Sequence, residues 1–336
     1  MCQYSASDGF INDWHLVHLG SRAVGGAGLV LTEATAVEAR GRISPQDAGI
    51  WNEEQAAAWA RVAHFIAEQG AVPGMQLAHA GRKASTRRPW EPRDLSPTVG
   101  PEEGGWVPVG PDEQPFSTTY PEPAEATTED IESIKEAFRL ATERAIAAGF
   151  PWVELHAAHG YLLHSFLSPL SNSRRDQYGG SFENRIRLTV ELTALLRQTM
   201  PDSAVLAVRI SATDWVDGGW KIEDSVRLAM VLKEQGADLI DVSSGGNIPY
   251  ARIPTEPLYQ IPFATRIRNE AGIPTAGVGM ITTAEQADNI ISDGRADVVL
   301  LAREMLRNPY WPHYAARMLK AENGPPTPPQ YLRAWS

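Results

Sequence analysis

The sequence predicts an α/β protein whose strands close into a (β/α)8 TIM barrel. Short apolar segments alternate with longer amphipathic segments along the 336 residues, which indicates parallel strands joined by helical crossovers. The polar residues of chemical interest follow the ends of the apolar segments, as they do on the catalytic rim of a barrel. An open dinucleotide-binding sheet is disfavoured, because no G-x-G-x-x-G motif opens a helix after the first predicted strand.

Hydrophobic periodicity and capping signals place the predicted elements in order along the chain. Asn52 and the capping box Thr127-x-x-Asp130 mark two helix starts. Glycines suited to a left-handed helix end precede five strands, at positions 70, 149, 236, 272 and 294. The predicted helices cover residues 15–23, 52–69, 127–148, 181–199, 222–235, 263–270, 284–292 and 307–320. The predicted strands cover residues 28–34, 72–78, 152–156, 205–210, 239–242, 273–277 and 297–301.

This pattern contains seven strands that are each followed by a helix, where a complete barrel has eight. The predicted helix over residues 15–23 has no strand of its own before it. We therefore expect the first barrel strand to be missing from the N-terminus of this chain. Because an open barrel would leave a long hydrophobic gap, we expect either that the reading frame begins at an internal Met or that another segment or chain fills the gap.

Composition excludes several classes of protein. The formal net charge of −11 argues against binding to nucleic acid or to an anionic membrane surface. A single cysteine, Cys2, excludes a disulfide framework and a four-cysteine metal site, and it fits a reducing compartment. No apolar run is long enough for a transmembrane helix, and the first residues do not resemble a signal peptide. We expect a cytoplasmic protein with one domain over residues 1–336.

Residues 84–126 form the longest irregular segment of the sequence. Nine prolines lie between Pro89 and Pro123, which is incompatible with a regular helix or a central strand. A segment of this length is more often a functional excursion than a simple connection. We predict a loop that caps the barrel.

The last two predicted strands are followed by residues suited to binding phosphate. Gly279 and Met280 follow one strand, and Ala302 and Arg303 follow the other. In barrels these two loops often bind phosphate through backbone amides, and an arginine adds charge-assisted hydrogen bonds. The alternative is a pair of turn glycines, Gly277 and Gly279, with a surface arginine.

Two histidines, His156 and His159, follow the strand over residues 152–156, with Tyr161 close behind. They are either a metal-binding pair, a pair of neutral imidazole donors aimed at a substrate oxygen, or structural histidines. The metal site would need a third ligand, and the sequence contains no H-E-x-x-H. In the second interpretation Tyr161 is a proton donor.

Other rim residues leave more than one interpretation open. Gln76 offers both a donor and an acceptor to a heterocycle, and Arg209 either holds a developing anion or pairs with a carboxylate. Cys2 is either a reactive thiol or a small buried hydrophobic residue. For His15 and His18 we favour packing or capping over metal ligation.

Several motifs together carry a resemblance to a known family. They are Met1-Cys-Gln-Tyr4, QLAHAGRK over residues 76–83, ELHAAHGY over 154–161, FLSPLSN over 166–172, DQYGGSFENR over 176–185 and QYLRAW over 330–335. On these residues the chain resembles the Old Yellow Enzyme family, over essentially its whole length. The resemblance is to the thermophilic-like class that includes the bacterial xenobiotic reductases.

The resemblance implies a TIM barrel that binds FMN, takes hydride from NADPH or NADH and reduces activated C=C bonds of enones, enals, maleimides or nitroalkenes. It implies that Arg209 lies near the electron-rich edge of the flavin. The implied contacts to the ring are Met1, Cys2, Ala34 and Gln76, and those to the phosphate are Gly279, Met280, Ala302 and Arg303.

On the substrate side, the resemblance implies that His156 and His159 bind the activating oxygen and that Tyr161 donates the proton. Cys2 would tune the flavin and Tyr4 would reach the substrate. Arg333, in the tail over residues 321–336, would enter a neighbouring subunit of a homodimer or homotetramer. Two alternatives stay open: a metal-dependent barrel hydrolase using the histidine pair, or a truncated flavin-binding remnant without activity.

Overall fold

Seven parallel strands form the main sheet of the computed structural model, which describes residues 1–92 and 96–335. Neighbouring strands of this sheet are also consecutive in the chain, and each connection carries a helix, as right-handed crossovers require. The strands, in spatial order, are β1 (Leu29–Ala36), β2 (Val72–Ala78), β5 (Trp152–Ala157), β6 (Val205–Ser211), β7 (Leu239–Ser243), β8 (Thr275–Gly277) and β9 (Val298–Val299). A separate small parallel sheet consists of β3 (Val109–Gly110) and β4 (Ala124–Glu125).

Most of the helices pack their apolar faces against the main sheet and against one another. They are α1 (Asp13–Val24), α2 (Glu53–Glu68), α3 (Thr128–Ala147), α4 (Leu162–Leu167), α5 (Phe182–Thr199), α6 (Ile222–Glu234), α7 (Ile261–Ala271), α8 (Ala284–Ser292), α9 (Arg303–Arg307), α10 (Trp311–Met318) and α11 (Leu332–Trp335). No helix among the described residues is long and apolar enough to cross a membrane.

Local signals in the sequence predicted most element boundaries correctly. The side chain of Asn52 accepts a hydrogen bond from the backbone N–H of Gln55 at the start of α2. Thr127 and Asp130 form the predicted capping box of α3. All five glycines predicted to end helices have positive φ. These features depend only on residues a few positions apart, which is why the sequence revealed them.

Two helical regions differ from the prediction. The predicted helix over residues 307–320 is replaced by two shorter helices, α9 and α10. Pro309 separates them, because a proline cannot donate to the preceding turn and disfavours helical backbone in the residue before it. The short helix α4 was not predicted. All six of its residues are buried, so it lacks the amphipathic pattern that identifies a surface helix.

β1 and β9 are the two edge strands of the main sheet. Among the described residues, these strands do not pair with each other, and no further strand lies between them. A cavity of about 610 Å³ lies between them and is lined mainly by apolar side chains such as Leu29, Leu31 and Val298. The count of seven strands and the hydrophobic gap therefore agree with the sequence prediction.

The register of the sheet positions the site. His156 on β5 lies beside Arg209 on β6, and Arg209 lies beside Asp241 on β7. Since parallel strands point their carboxyl ends to the same rim, these residues and the loops after them converge there. The loop over residues 84–126 extends from this rim after β2. Its positions 93–95, and position 336 of the predicted tail, lie outside the described residues.

Candidate active site

A cavity of about 810 Å³ opens at the carboxyl ends of the strands, and we call it the central cavity. It contains most of the site residues that the sequence predicted. Those that line it are Met1, Cys2, Tyr4, Ala34, Gln76, His156, His159, Tyr161, Arg209 and Ala302. Residues far apart in the sequence thus meet in one concave site, as a small-molecule site requires.

A smaller cavity of about 210 Å³ adjoins the central cavity at Arg209 and Ala302. Gly279, Met280 and Arg303 line it. Arg333, on α11, lines neither cavity. The structure therefore brings together every predicted site residue except Arg333.

The floor of the central cavity is formed by polar side chains that lie in pairs. The side-chain amide of Gln76 donates a 2.7 Å hydrogen bond to Glu154, and Nε of Arg209 lies 3.1 Å from Oδ2 of Asp241. Burial raises the pKa of Glu154 to about 8, with a further contribution from the neighbouring charge of Asp241. Burial also raises the pKa of Asp241, although the Arg209 charge opposes this.

This floor fits the ring of the expected flavin. Asp241 is fully buried, but the side chain of Arg209 is 20% exposed and reaches the cavity wall. The predicted pairing of Arg209 with a carboxylate is confirmed. Its side chain also reaches the cavity as a permanent cation, so holding an anion there stays a prediction. The amide of Gln76 keeps its carbonyl oxygen for the edge of a heterocycle.

The smaller cavity fits the phosphate end of the cofactor. Gly279 has φ +127, a backbone conformation that residues with a Cβ rarely adopt, so the turn at this cavity favours glycine. The guanidinium of Arg303 lies 2.9 Å from the sulfur of Met280, at the edge of this cavity. A backbone turn beside an arginine is a suitable donor set for phosphate oxygens.

His156 and His159 belong to a chain of hydrogen bonds. Nδ1 of His156 accepts from the backbone N–H of Ala158, so the proton of the neutral ring is on Nε2. That Nε2 lies 3.3 Å from Nδ1 of His159, and Nε2 of His159 lies 2.7 Å from Oγ of Ser243. The chain continues from Ser243 to the amide oxygen of Gln260.

This arrangement differs in one respect from the expected pair of donors aimed at one substrate oxygen. His156 donates to His159, and His159 donates to Ser243, so both N–H groups already have partners within the chain. A substrate oxygen must replace these partners to be bound. Desolvation, followed by the charge of Arg209, lowers the pKa of both histidines well below the ordinary value, so both rings are neutral donors at pH 7.

Tyr161 stands at the rim of the cavity beside His156, with the two rings perpendicular and their centroids 5.1 Å apart. Desolvation raises the pKa of its phenol well above 10, and nearby Cys2 and Tyr4 contribute. The phenol therefore keeps its proton until a strongly basic atom forms next to it, which is the behaviour required of a proton donor.

Sequence reasoning assigned no role to Lys83, although it belongs to the QLAHAGRK motif. Its ammonium donates 2.9 Å hydrogen bonds to the backbone oxygens of His159 and Gly246 and lies 5.3 Å from the ring centre of Tyr161. Burial lowers its pKa to about 8. Lys83 therefore holds the turn that carries His159 and Tyr161. In the sequence, its position shortly after the end of β2 was the available sign of a role at the rim.

The N-terminal segment is fixed to α1 and β1. The backbone N–H of Gln3 donates a 2.6 Å hydrogen bond to Glu33, and Nε2 of His15 lies 3.2 Å from the same carboxylate. His15 also accepts from the backbone N–H of Asn12 and completes the capping box of α1, which confirms the predicted capping role. His18 packs parallel to the ring of Trp14, as predicted.

Cys2 is held by this segment against the central cavity. Desolvation raises the pKa of its thiol, with further contributions from Asp47 and Glu33. A thiol that keeps its proton is a poor nucleophile, so the environment does not support a reactive thiolate.

Trp90, from the proline-rich loop, is a second residue that sequence reasoning left without a role. It lines the central cavity together with Pro89, and its ring packs edge-on against Tyr4 at a centroid distance of 5.6 Å. The available signal in the sequence was an aromatic residue within the proline-rich segment, in the tripeptide RPW.

No group of three or more His, Cys, Asp or Glu residues arranged to hold a metal ion occurs within residues 1–92 and 96–335. The pair of His156 and His159 has Ser243 as its next polar partner, rather than a carboxylate. The hydrolase alternative therefore lacks a third ligand in the described part of the chain.

Because the carboxyl of Asp47 is buried, we expect the free energy of unfolding of this protein to depend measurably on pH. It is 2% exposed, and desolvation, followed by the charge of Glu33, raises its pKa to about 8 from 3.8. Between these values the folded state binds a proton that the unfolded state releases, so the free energy of unfolding falls as the pH rises from about 4 to 8. We expect Asp47→Asn to remove this loss and to gain about 2 kcal/mol or more over the wild type at pH 9.

Urea unfolding at pH 5 and pH 9 checks this prediction. The carboxyl of Asp47 accepts hydrogen bonds from the backbone of Ile43 and Ser44, and asparagine can still accept them. The matched control is Asp13→Asn, since Asp13 is an exposed carboxyl and its variant should keep the wild-type slope. An equal pH slope in wild type and Asp47→Asn would contradict the prediction.

Comparison with known proteins identifies the family of this chain. Residues 1–322 match the NADH:flavin oxidoreductase / NADH oxidase family. The chain is 44% identical over 337 residues to an NADPH dehydrogenase of Geobacillus thermodenitrificans, across 100% of this chain and 92% of that protein. It is 46% identical, with the same coverage, to an NADPH dehydrogenase of a Geobacillus species.

Among solved structures, the fold is similar to that of morphinone reductase in complex with tetrahydroNAD. The TM-score is 0.78 at 25% sequence identity, and the match covers 97% of this chain and 87% of that one. This likeness confirms the predicted TIM-barrel class. The chain therefore belongs to the NADH:flavin oxidoreductase / NADH oxidase family, the Old Yellow Enzyme group that its motifs predicted, and it is an FMN-dependent oxidoreductase that uses a nicotinamide cofactor.

Proposed function

We propose that this enzyme reduces the activated C=C bonds of small electron-poor alkenes: enones, enals, maleimides and nitroalkenes. The observation that carries the proposal is the grouping of two neutral imidazoles and a protonated phenol on one wall of a cavity whose floor holds Arg209. Reduction of an alkene adds a hydride to one carbon and a proton to the other. The site offers hydrogen-bond donors for the activating oxygen and an acid for the second carbon.

When bound, FMN supplies the hydride chemistry, with NADPH or NADH as the donor. Arg209 and Gln76 would hold the ring, with Met1, Cys2 and Ala34 beside it. Gly279, Met280, Ala302 and Arg303 would hold the phosphate. Because Arg209 cannot lose its proton, it stabilises negative charge on a ligand at the cavity floor at any working pH.

His156 and His159 would bind the carbonyl or nitro oxygen of the substrate. As negative charge develops on that oxygen, the neutral N–H donors stabilise it. Tyr161 then transfers its proton to the carbon next to the activating group. Tyr4 and Trp90 close the cavity over the substrate.

We also propose that the enzyme works as a homodimer or homotetramer in which Arg333 enters the site of a neighbouring subunit. This proposal rests on the position of Arg333 in the C-terminal helix α11, outside the cavities of its own chain. Size-exclusion chromatography with light scattering tests the oligomer. Mixing Arg333→Ala with an inactive Tyr161→Phe chain should restore part of the activity if the arginine acts across subunits.

The function is tested by visible absorption spectroscopy of the purified protein. NADPH should bleach the flavin bands under anaerobic conditions, and 2-cyclohexenone should restore them. A protein that binds flavin and is reduced by NADPH but is not reoxidised by any enone, maleimide or nitroalkene would disprove the proposed reaction. A protein with flavin and no turnover would instead favour the non-catalytic remnant.

The proposed role of His156 and His159 leads to a separate prediction about ligand binding. Replacing both His156 and His159 by alanine should weaken the binding of a phenolate ligand by at least about tenfold, since a hydrogen bond to a charged group contributes about 1.5–3 kcal/mol. Titration of the flavin absorption spectrum with 4-hydroxybenzaldehyde measures this. The matched control is His64→Ala, because His64 is an exposed residue of α2. Unchanged affinity in the double variant would remove the pair from the oxygen site.

A further inference from the structure

A second cavity, of about 510 Å³, opens beside the central cavity, and we call it the side chamber. Tyr4, Pro89 and Tyr161 line both cavities, so the two adjoin at the proposed proton donor. The proposed reaction uses only the central cavity. The side chamber therefore provides space next to the proposed proton donor and outside the central cavity.

The chamber is built by the proline-rich loop, and the base of that loop is well fixed. Thr86 and Thr98 form an antiparallel bridge, and the backbone N–H of Arg87 donates to the oxygen of Pro97 at 2.9 Å. The backbone N–H of Thr86 also donates to Ile43 at 2.8 Å, which ties the loop to the segment after β1. These contacts hold the chamber wall in place before a ligand arrives, which lowers the cost of binding.

The side chamber carries positive charge. Among the described residues, Lys83, Arg87 and Arg88 line it, and the carboxylates paired with them are Glu91 and Glu103. Arg87 already binds both oxygens of Glu103. The described cations of the chamber therefore exceed these carboxylates by one, and the excess lies with Lys83, which donates to backbone oxygens instead. Such a chamber favours an anionic ligand.

Arg88 is the cation best placed to provide that interaction. Its Nε donates a 2.7 Å hydrogen bond to Glu91, and its guanidinium lies 5.9 Å from the ring centre of Trp90. The side chain is held on two sides but stays 37% exposed. Its terminal N–H groups make no other hydrogen bond or ion pair with the residues that the structure describes, so they can bind a carboxylate.

We propose that the side chamber binds the distal part of an elongated alkene substrate and that Arg88 selects substrates with a carboxylate at that distal end. This inference rests on the proposed function, because the alkene itself lies in the central cavity. The carboxylate would displace water from Arg88 while the conjugated carbonyl stays at His156 and His159. A short enone such as 2-cyclohexenone would not reach the chamber.

Three substrates and two variants test the proposal in the FMN-loaded enzyme. The substrates are 2-cyclohexenone, 4-(4-carboxyphenyl)but-3-en-2-one and the methyl ester of the latter. Arg88→Gln should raise the KM of the carboxylate about tenfold and leave the KM of the ester and of cyclohexenone unchanged, since it removes one charge-assisted interaction. Ser96→Trp, at the chamber wall, should raise the KM of both long substrates and leave cyclohexenone unaffected.

A matched control and the contrary outcomes complete the test. Arg61→Gln also removes one positive charge, but from an exposed position on α2, and should change none of the three KM values. An equal rise for all three substrates in Arg88→Gln would overturn the proposal. So would a rise in the KM of NADPH alone, since the chamber would then serve the hydride donor.

Failure of the proposed function can be recognised separately. If the wild-type enzyme reduced no alkene, the quenching of tryptophan fluorescence by the carboxylate and by its ester would still test the chamber. Affinity for the carboxylate that depends on Arg88 would support the chamber as an anion site. Equal quenching of wild type and Arg88→Gln by both ligands would overturn it.

Discussion

Replacing Tyr161 by phenylalanine is expected to slow reoxidation of the reduced enzyme by 2-cyclohexenone about 10²–10⁴-fold, the usual contribution of a positioned general acid. Reduction by NADPH needs no proton from this residue and should stay nearly unchanged. The raised pKa of the Tyr161 phenol keeps the acid protonated at neutral pH, so the rate of the wild-type enzyme should not fall between pH 6 and 9 through loss of this proton. Stopped-flow absorbance of the flavin measures the two half-reactions separately.

A matched control for this variant is Tyr250→Phe, because Tyr250 is a 70% exposed tyrosine that lines neither the central cavity nor the side chamber. Both half-reactions of that variant should match those of the wild type. Equal damage to both half-reactions in Tyr161→Phe would contradict a role in proton donation, since it would indicate a general disturbance of the site.

Replacing Gly160 by alanine should abolish most of the activity and destabilise the enzyme. Gly160 has φ +74, and a Cβ at this position would lie 2.4 Å from the backbone oxygen of Gly246 and 2.7 Å from Cα of Asn247. Neither backbone atom can move away as a flexible side chain would. The turn must therefore shift, and it carries His159 and Tyr161 on either side of Gly160.

The expected loss of stability in Gly160→Ala has two parts. The left-handed backbone costs alanine about 1–2 kcal/mol, and the overlap with backbone adds about 1–3 kcal/mol. A displacement of about 1 Å in a catalytic group can lower the rate about 10²-fold. Urea unfolding measures the loss of stability, and turnover of 2-cyclohexenone measures the loss of activity.

Gly180→Ala separates these two parts. Gly180 has φ +81, similar to that of Gly160, but no atom lies within 4 Å of its added Cβ. This variant should therefore show only the backbone cost and should keep full activity. If the two variants were equally stable and equally active, the turn at Gly160 would not be held as tightly as its contacts with Gly246 and Lys83 indicate.

Local patterns in the sequence identified most elements and most candidate site residues. The strand over residues 72–78 and the helix over 284–292 have the predicted bounds, because a short apolar run and capping residues depend on near neighbours. The rim position of Gln76, His156 and Arg209 followed from the rule that functional side chains lie after parallel strands. The motifs then indicated the chemistry, through the family they resemble.

Features that depend on distant residues could not be predicted in this way. The partner of Arg209 is Asp241, an acidic residue inside an apolar strand, and only the register of β6 and β7 places them together. The side chamber arises where the proline-rich loop folds back over Tyr4 and Tyr161, and such a loop has no periodicity from which its path can be predicted.

The sequence by itself determined the fold class, the order of the elements and the residues that gather at the barrel rim, since these follow from periodicity, capping and strand ends. Only the tertiary structure decided how those residues are paired. Three contacts each join segments that are distant in the sequence: the hydrogen bond of His159 with Ser243, the support of the His159 turn by Lys83 and the packing of Trp90 against Tyr4. Hydrogen-bond direction, burial and the resulting pKa shifts exist only once those segments are packed together.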